Sequence, residues 1–176
     1  MTNRNTRWIL ALLLCAVMAL GLCMAHAEGE ITTWAELQTA ISAGGTVTLT
    51  QSITAASGDS ALTVPKNVTV TLDLNGCTID RGLIEPTKNG SVIFVNGMLT
   101  ITGNGTITGG NTNSVGGGIW VKAGGRCTLS GGMVSGNHAN QNGGGVYVSG
   151  TDAHFTLNGG TIMNNTAPSG GGIAFQ

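Results

Sequence analysis

One short segment of this 176-residue chain brings together the side chains of a nucleophile, a base and an acid. Ser149, Asp152 and His154 lie within six residues of one another. A catalytic triad needs a base that a carboxylate orients and a site that stabilises an oxyanion, with water kept away. All three residues fall in one segment between strands, where nothing excludes water. We therefore expect a solvated turn here.

Carboxylates are the second group with chemical potential, because sugar-cleaving enzymes use paired acids or acids that bind Ca²⁺. Asp73 and Asp80, with Arg81 beside the latter, are the nearest approach to such a set. Alternation of apolar and polar residues places Asp73 and Asp80 outward from different strands. We interpret both as solvated strand charges. His138 and His154 have no second ligand at metal-binding spacing, so we expect no catalytic residue, metal or cofactor.

Three of the few aromatic residues alternate with apolar pairs in similar segments of the chain. Phe94, Trp120 and Tyr147 should therefore point outward, in one row with Lys122 beside them. One interpretation is a cross-strand aromatic ladder that stiffens the sheet. The other is a ligand-binding row of Phe94, Trp120, Tyr147 and Lys122, with an extended extracellular glycan or a host surface protein as partner.

A glycine triplet repeats through the C-terminal half, beginning at Gly116, Gly143 and Gly170, which are 27 residues apart. Self-similarity at such a period is typical of stacked repeats, in which each unit buries its apolar face against the next. The aligned core positions are Leu74, Ile101, Leu129 and Leu157 in a first strand, Ile79, Ile107, Val134 and Ile162 in a second, and Ile93, Ile119, Val146 and Ile173 in a third.

The chain divides into three segments. Residues 1–27 have a positive start, an apolar run and an Ala-His-Ala cleavage site, which predicts a secretory signal peptide. Residues 28–45 contain one amphipathic helix with a capping box at Thr33 and Glu36, which we expect to cap the core. Residues 46–176 predict about five coils of about 27 residues each. The sequence ends within a third strand, so we predict that further coils follow Gln176.

Two cysteines remain after the predicted leader. Cys77 and Cys127 fall in different strands two coils apart, roughly 10 Å along the axis at the usual strand spacing. A disulfide needs Cα atoms within about 7 Å of each other. Both cysteines are therefore predicted to be free, buried thiols.

Charge and hydropathy together argue against nucleic acid as a partner and against a membrane span. The formal net charge is −1 and no run of basic residues is present, which disfavours nucleic acid as a partner. Outside the predicted leader no segment is long and apolar enough to predict a membrane span.

The repeats also resemble a known family. The segments 134–139 and 162–167, each followed by a glycine triplet, resemble the right-handed parallel β-helix repeats of bacterial surface proteins. They are similar to the Asn-x-Ala and Gly-Gly-x-Ile/Val repeats of the polymorphic outer-membrane protein adhesins, although the Phe that usually lies three residues before the Asn is missing.

This resemblance implies an all-β, right-handed parallel β-helix with a short N-terminal capping helix. It also implies a secreted or cell-surface, non-catalytic module for adhesion. The alternative is the N-terminal part of a polysaccharide lyase or glycoside hydrolase with a pectate-lyase-like fold, whose catalytic coils lie outside this sequence.

Overall fold

A computed structural model describes residues 30–176. The predicted signal peptide, residues 1–27, lies outside the described residues. The described part contains one helix, α1 (Trp34–Ala43), and a series of short strands. The strands are β1 (Gly45–Thr48), β2 (Ile53–Thr54), β3 (Leu62–Val64), β4 (Thr69–Asp73), β5 (Thr78–Asp80), β6 (Ile93–Val95), β7 (Met98–Thr102), β8 (Thr106–Thr108), β9 (Asn111–Thr112), β10 (Ile119–Val121), β11 (Arg126–Leu129), β12 (Met133–Ser135), β13 (His138–Ala139), β14 (Val146–Val148), β15 (His154–Leu157), β16 (Thr161–Met163) and β17 (Ile173–Phe175).

The strands form a parallel β-solenoid of about five coils, which confirms the predicted all-β parallel β-helix with a short helix. Sheet 1 contains β1, β4, β7, β11 and β15; sheet 2 contains β2, β5, β8, β12 and β16; sheet 3 contains β3, β6, β10, β14 and β17. Each coil contributes one strand to each of these sheets. A further pair, β9 and β13, lies between sheets 2 and 3 in the third and fourth coils.

The predicted register holds in sheets 2 and 3. Ile79, Ile107, Val134 and Ile162 pair in sheet 2, and Ile93, Ile119, Val146 and Ile173 pair in sheet 3. Side chains at these positions in the inner coils are fully buried. Stacking of like residues thus builds one continuous apolar column along the solenoid.

The predicted register of sheet 1 was wrong by two residues at its second coil. Leu72 pairs with Ile101, whereas Leu74 lies just after β4. Both leucines are buried, because side chains two apart point to the same face. Asp73 consequently pairs with Thr102, and Thr71 pairs with Thr100. The alternation of apolar and polar residues is unchanged when a strand shifts by two residues. The register of sheet 1 could therefore not be fixed from the sequence at this coil.

Helix α1 covers the start of the core. Its capping box is present: Thr33 Oγ1 accepts from Glu36 N at 3.2 Å, and Glu36 Oε2 accepts from Thr33 N at 2.9 Å. The buried face of the helix consists of Trp34, Leu37 and Ile41. The helix contacts β1 and β3, which are edge strands of sheets 1 and 3. Among residues 30–176 no helix is long and apolar enough to cross a membrane.

Asparagines at the corner after sheet 2 stabilise this turn in the fourth and fifth coils, at Asn137 and Asn165. Asn137 is buried, and its Nδ2 donates to Ile107 O at 3.1 Å and to Asn165 Oδ1 at 3.0 Å. Its Oδ1 accepts from Gly110 N at 3.0 Å. The side chain therefore satisfies backbone groups that the corner leaves without a strand partner, as buried polar groups require.

Cys77 and Cys127 are both free thiols, as predicted. Cys127 is buried, and burial raises the pKa of its thiol to about 12. Cys77 is only partly buried, so the prediction of two buried thiols was wrong for this residue. It lies in the turn before β5, where the inward–outward alternation of a strand does not yet apply.

Candidate functional site

The predicted aromatic row is present on the outer face of sheet 3. Phe94 pairs with Trp120, and Trp120 pairs with Tyr147, on adjacent strands. Their ring centroids are 5.7 Å and 6.0 Å apart. The ring planes meet at 79° and 63°, which is the edge-to-face arrangement that aromatic quadrupoles favour. The row is therefore ordered by direct ring contacts, and the rings do not form one flat surface.

The three rings differ in exposure. Phe94 and Trp120 are half-buried, but Tyr147 is only 3% exposed, so the expectation of an exposed ring at Tyr147 was wrong. Trp120 covers one side of Tyr147, and the Tyr147 hydroxyl donates to Gln176 Oε1 on the other. The turn at Gly143 also packs against its Cβ. A ligand can thus contact Phe94 and Trp120 more readily than Tyr147.

Lys122 lies over the two accessible rings. Its Nζ is 3.9 Å from the centroid of Phe94 and 4.5 Å from that of Trp120. This is the geometry of a cation–π interaction, in which the ring face attracts the ammonium. Partial burial lowers the pKa of Lys122, since desolvation disfavours the charged form. Trp120 is fixed from the other side, where its Nε1 donates to Ser149 Oγ at 3.0 Å.

This cluster can act on a ligand in two ways. The exposed parts of the Phe94 and Trp120 rings offer apolar surface to C–H groups, and the ammonium of Lys122 offers up to three hydrogen-bond donors. Because the ammonium is partly desolvated, an acceptor or an anion brought next to it would restore interactions lost on burial. The arrangement suits a ligand with apolar and polar surface side by side.

Ser149, Asp152 and His154 do not form a catalytic triad, because their side chains contact other groups. Ser149 Oγ accepts the indole N–H of Trp120, and Nδ1 of His154 lies 2.9 Å from the backbone oxygen of Asp152. Asp152 has a positive φ of 59° in the turn that carries it. The His154 ring therefore contacts the main chain of Asp152 and not its carboxylate, so no nucleophile–base–acid relay is assembled.

The two candidate carboxylates each stabilise a turn. Asp73 Oδ1 accepts from Asn75 N at 3.0 Å, and Asp80 Oδ1 accepts from Gly82 N at 2.8 Å. His138 contacts Thr166 Oγ1 at 2.7 Å through Nδ1. Within residues 30–176 no group of three or more His, Cys, Asp or Glu side chains could hold a metal ion.

Sequence reasoning missed the placement of Arg81. This side chain is buried at 6% exposure and lines a pocket beside helix α1. The strand pattern contained the signal: Ile79 points inward and Asp80 outward, so the next residue is directed inward again. An arginine at an inward position is rare without a partner, and its burial marks a second polar site on this solenoid.

Comparison of the chain with protein-family models, with curated proteins and with solved structures finds no match. Its assignment to the parallel β-solenoids therefore depends on its strand pairing, which is parallel throughout the three main sheets. The same fold carries many unrelated functions, so function must be argued from the sites themselves.

Proposed function

We propose that this chain is a secreted or cell-surface, non-catalytic β-helix module that binds an extended glycan or a host surface glycoprotein. The binding surface is the cluster of Phe94, Trp120 and Lys122 on the outer face of sheet 3. The leader-like residues 1–27 support export. The likeness of the Asn-x-Ala and Gly-Gly-x-Ile/Val repeats to those of bacterial surface adhesins supports a role in adhesion.

The observation that carries the proposal is the position of Lys122. Its ammonium lies 3.9 Å from the Phe94 ring centroid, on an outer face where a solvated lysine would otherwise extend into water. Sugars present C–H groups beside hydroxyl groups, which matches half-exposed aromatic rings beside a cationic donor. Neighbouring strands lie about 5 Å apart along the solenoid axis, so such contacts can recur at this spacing. An extended chain of sugars can lie in the same direction.

The test is a glycan array, followed by calorimetry with the sugars that bind. Lys122→Gln removes the ammonium, and Phe94→Thr copies Thr63, which occupies the same row on the adjacent strand. We expect each change to weaken binding about tenfold, since each removes roughly 1.4 kcal/mol of contact. Circular dichroism should show an unchanged fold for both variants.

Lys66→Gln is the matched control, because Lys66 is an exposed lysine in the turn after β3 and is not part of the cluster of Phe94, Trp120 and Lys122. This variant should bind like the unmodified chain. Tyr147→Phe should also bind normally, because the Tyr147 hydroxyl is directed to Gln176. Full binding by folded Lys122→Gln and Phe94→Thr would show that the row is a structural ladder only.

A further inference from the structure

A pocket of about 570 Å³ lies between loops of the first two coils, and its lining includes none of the residues of the aromatic row. One wall is residues 55–60, which connect β2 to β3, and the other is residues 81–89, which follow β5. The volume falls in the range of pockets that hold small molecules. Ser57, Ser60 and Asn89 are among the residues that line it, together with apolar residues such as Leu83 and Ile84.

Arg81 is the charged group held in the wall of this pocket. Its guanidinium carbon lies 5.6 Å from the ring centroid of Trp34, and its Nη2 donates to the backbone oxygen of Asp59. Trp34 is itself fixed, because its Nε1 donates to Ser60 O at 2.8 Å. The guanidinium is thus positioned by helix α1 and by the loop of the first coil.

The interactions of this buried cation are incomplete. Arg81 Nε is buried and has no hydrogen-bond partner among residues 30–176. Asp59 touches Arg81 through its backbone oxygen, whereas its carboxylate accepts from Ala56 N at 2.7 Å. Burial lowers the pKa of Arg81, while the nearby Asp59 charge opposes that shift. A buried charge normally has all of its polar atoms paired, and Arg81 Nε is the atom left without a partner here.

We propose that the pocket binds a small polyhydroxylated carboxylate, whose carboxylate group pairs with the guanidinium of Arg81. The planar fork of a guanidinium matches the two oxygens of a carboxylate. Arg81 and Asp59 together give the pocket a formal charge near zero, which suits a monoanion better than a phosphate dianion. Ser57, Ser60 and Asn89 provide partners for the hydroxyl groups of such a ligand.

The test uses three probes in calorimetric titrations of the full chain. D-gluconate carries a carboxylate on a polyol, D-sorbitol is the matched neutral polyol, and inorganic phosphate is the competing anion. We expect gluconate to bind at least about tenfold more tightly than sorbitol and phosphate. Equal binding of gluconate and sorbitol, or tighter binding of phosphate, would overturn the assignment.

Two sets of variants separate binding from folding. Arg81→Gln should lower gluconate affinity about tenfold, and Arg126→Gln, at an exposed arginine in β11, should leave it unchanged. Ser57→Asp places a negative charge at an exposed pocket position without altering Arg81, and should weaken gluconate binding relative to Ser57→Asn. Equal affinities of the two Ser57 variants would contradict the proposal even if Arg81→Gln fails to fold.

This inference is independent of the glycan surface on sheet 3. Lys122→Gln should leave gluconate binding unchanged, and Ser57→Asp should leave glycan binding unchanged. Loss of gluconate binding in Lys122→Gln would contradict the Arg81 pocket as the site of that ligand.

Discussion

The ammonium of Lys122 and the guanidinium of Arg81 both lie against aromatic rings, but they differ in what surrounds them. Lys122 is half-buried on an outer sheet face, with Phe94 and Trp120 beneath it. Arg81 is almost fully buried, with Trp34 beneath it and the backbone of Asp59 beside it. The first cation suits a large ligand lying along the surface, and the second suits a small anion enclosed in a pocket.

The two cysteines should differ sharply in reactivity. Burial raises the pKa of Cys127 from 9.0 to about 12, so its thiolate fraction at pH 8 is about a thousandfold below that of an ordinary thiol. Cys77 is partly exposed. Iodoacetamide at pH 8 should therefore label Cys77 within minutes and Cys127 only after denaturation, as peptide mass spectrometry would show. Equal labelling of both in the folded chain would contradict the burial of Cys127.

The raised pKa of Cys127 makes the stability of the folded chain depend on pH. A thiol whose folded pKa is raised favours the folded state below its unfolded pKa, and this contribution is lost as pH rises from about 9 through 12. Cys127→Ala removes the titration. Its free energy of unfolding should fall less steeply over this pH range than that of the unmodified chain.

At the scale of elements, the repeats and the helix could be predicted because each has a local signal. The capping box at Thr33 and Glu36 defines the helix start, and the apolar pairs of sheet 3 define a register that the structure confirms. The shift from Leu74 to Leu72 could not be detected, since both positions point inward. Likewise, alternation predicted that Tyr147 points outward but could not predict that Gln176 and Trp120 cover it.

The glycine triplets lie where the backbones of stacked coils approach each other closely. A Cβ built on Gly118 would lie 2.6 Å from Gly145 O, whereas one built on Gly172 meets only Ile162 Cγ2 at 3.7 Å. Neither residue needs a positive φ. In this 176-residue chain Gly118→Ala should therefore lower the free energy of unfolding by about 2 kcal/mol or more, through displaced coil-to-coil hydrogen bonds.

Gly172→Ala is the control at the equivalent position of the last described coil. Its effect on the free energy of unfolding should stay within about 0.5 kcal/mol. Urea denaturation followed by circular dichroism measures both variants. Equal stability of Gly118→Ala and Gly172→Ala would show that the coils are not stacked as closely as the structure has them.

In the whole molecule, the two candidate sites use different residues of the same solenoid. The Arg81 pocket lies between loops of the first two coils, and the Lys122 cluster lies on the second and third strands of sheet 3. The sequence predicted the outward direction of the Phe94 and Trp120 side chains, because strand alternation reports which side chains point outward. It did not predict the pocket, because loop conformation and the burial of one arginine depend on contacts between coils.

We propose that the outer face of sheet 3 binds a glycan next to Trp120. The most direct test is the indole N–H signal of Trp120 in a ¹H–¹⁵N spectrum, recorded while a glycan selected on the array is titrated. This N–H donates to Ser149 Oγ beside the cluster, whereas the indole N–H of Trp34 donates to Ser60 O at the other site. We expect the Trp120 signal to shift in a saturable way and the Trp34 signal to stay in place. A bound glycan that leaves the Trp120 signal unmoved would contradict glycan binding at this face.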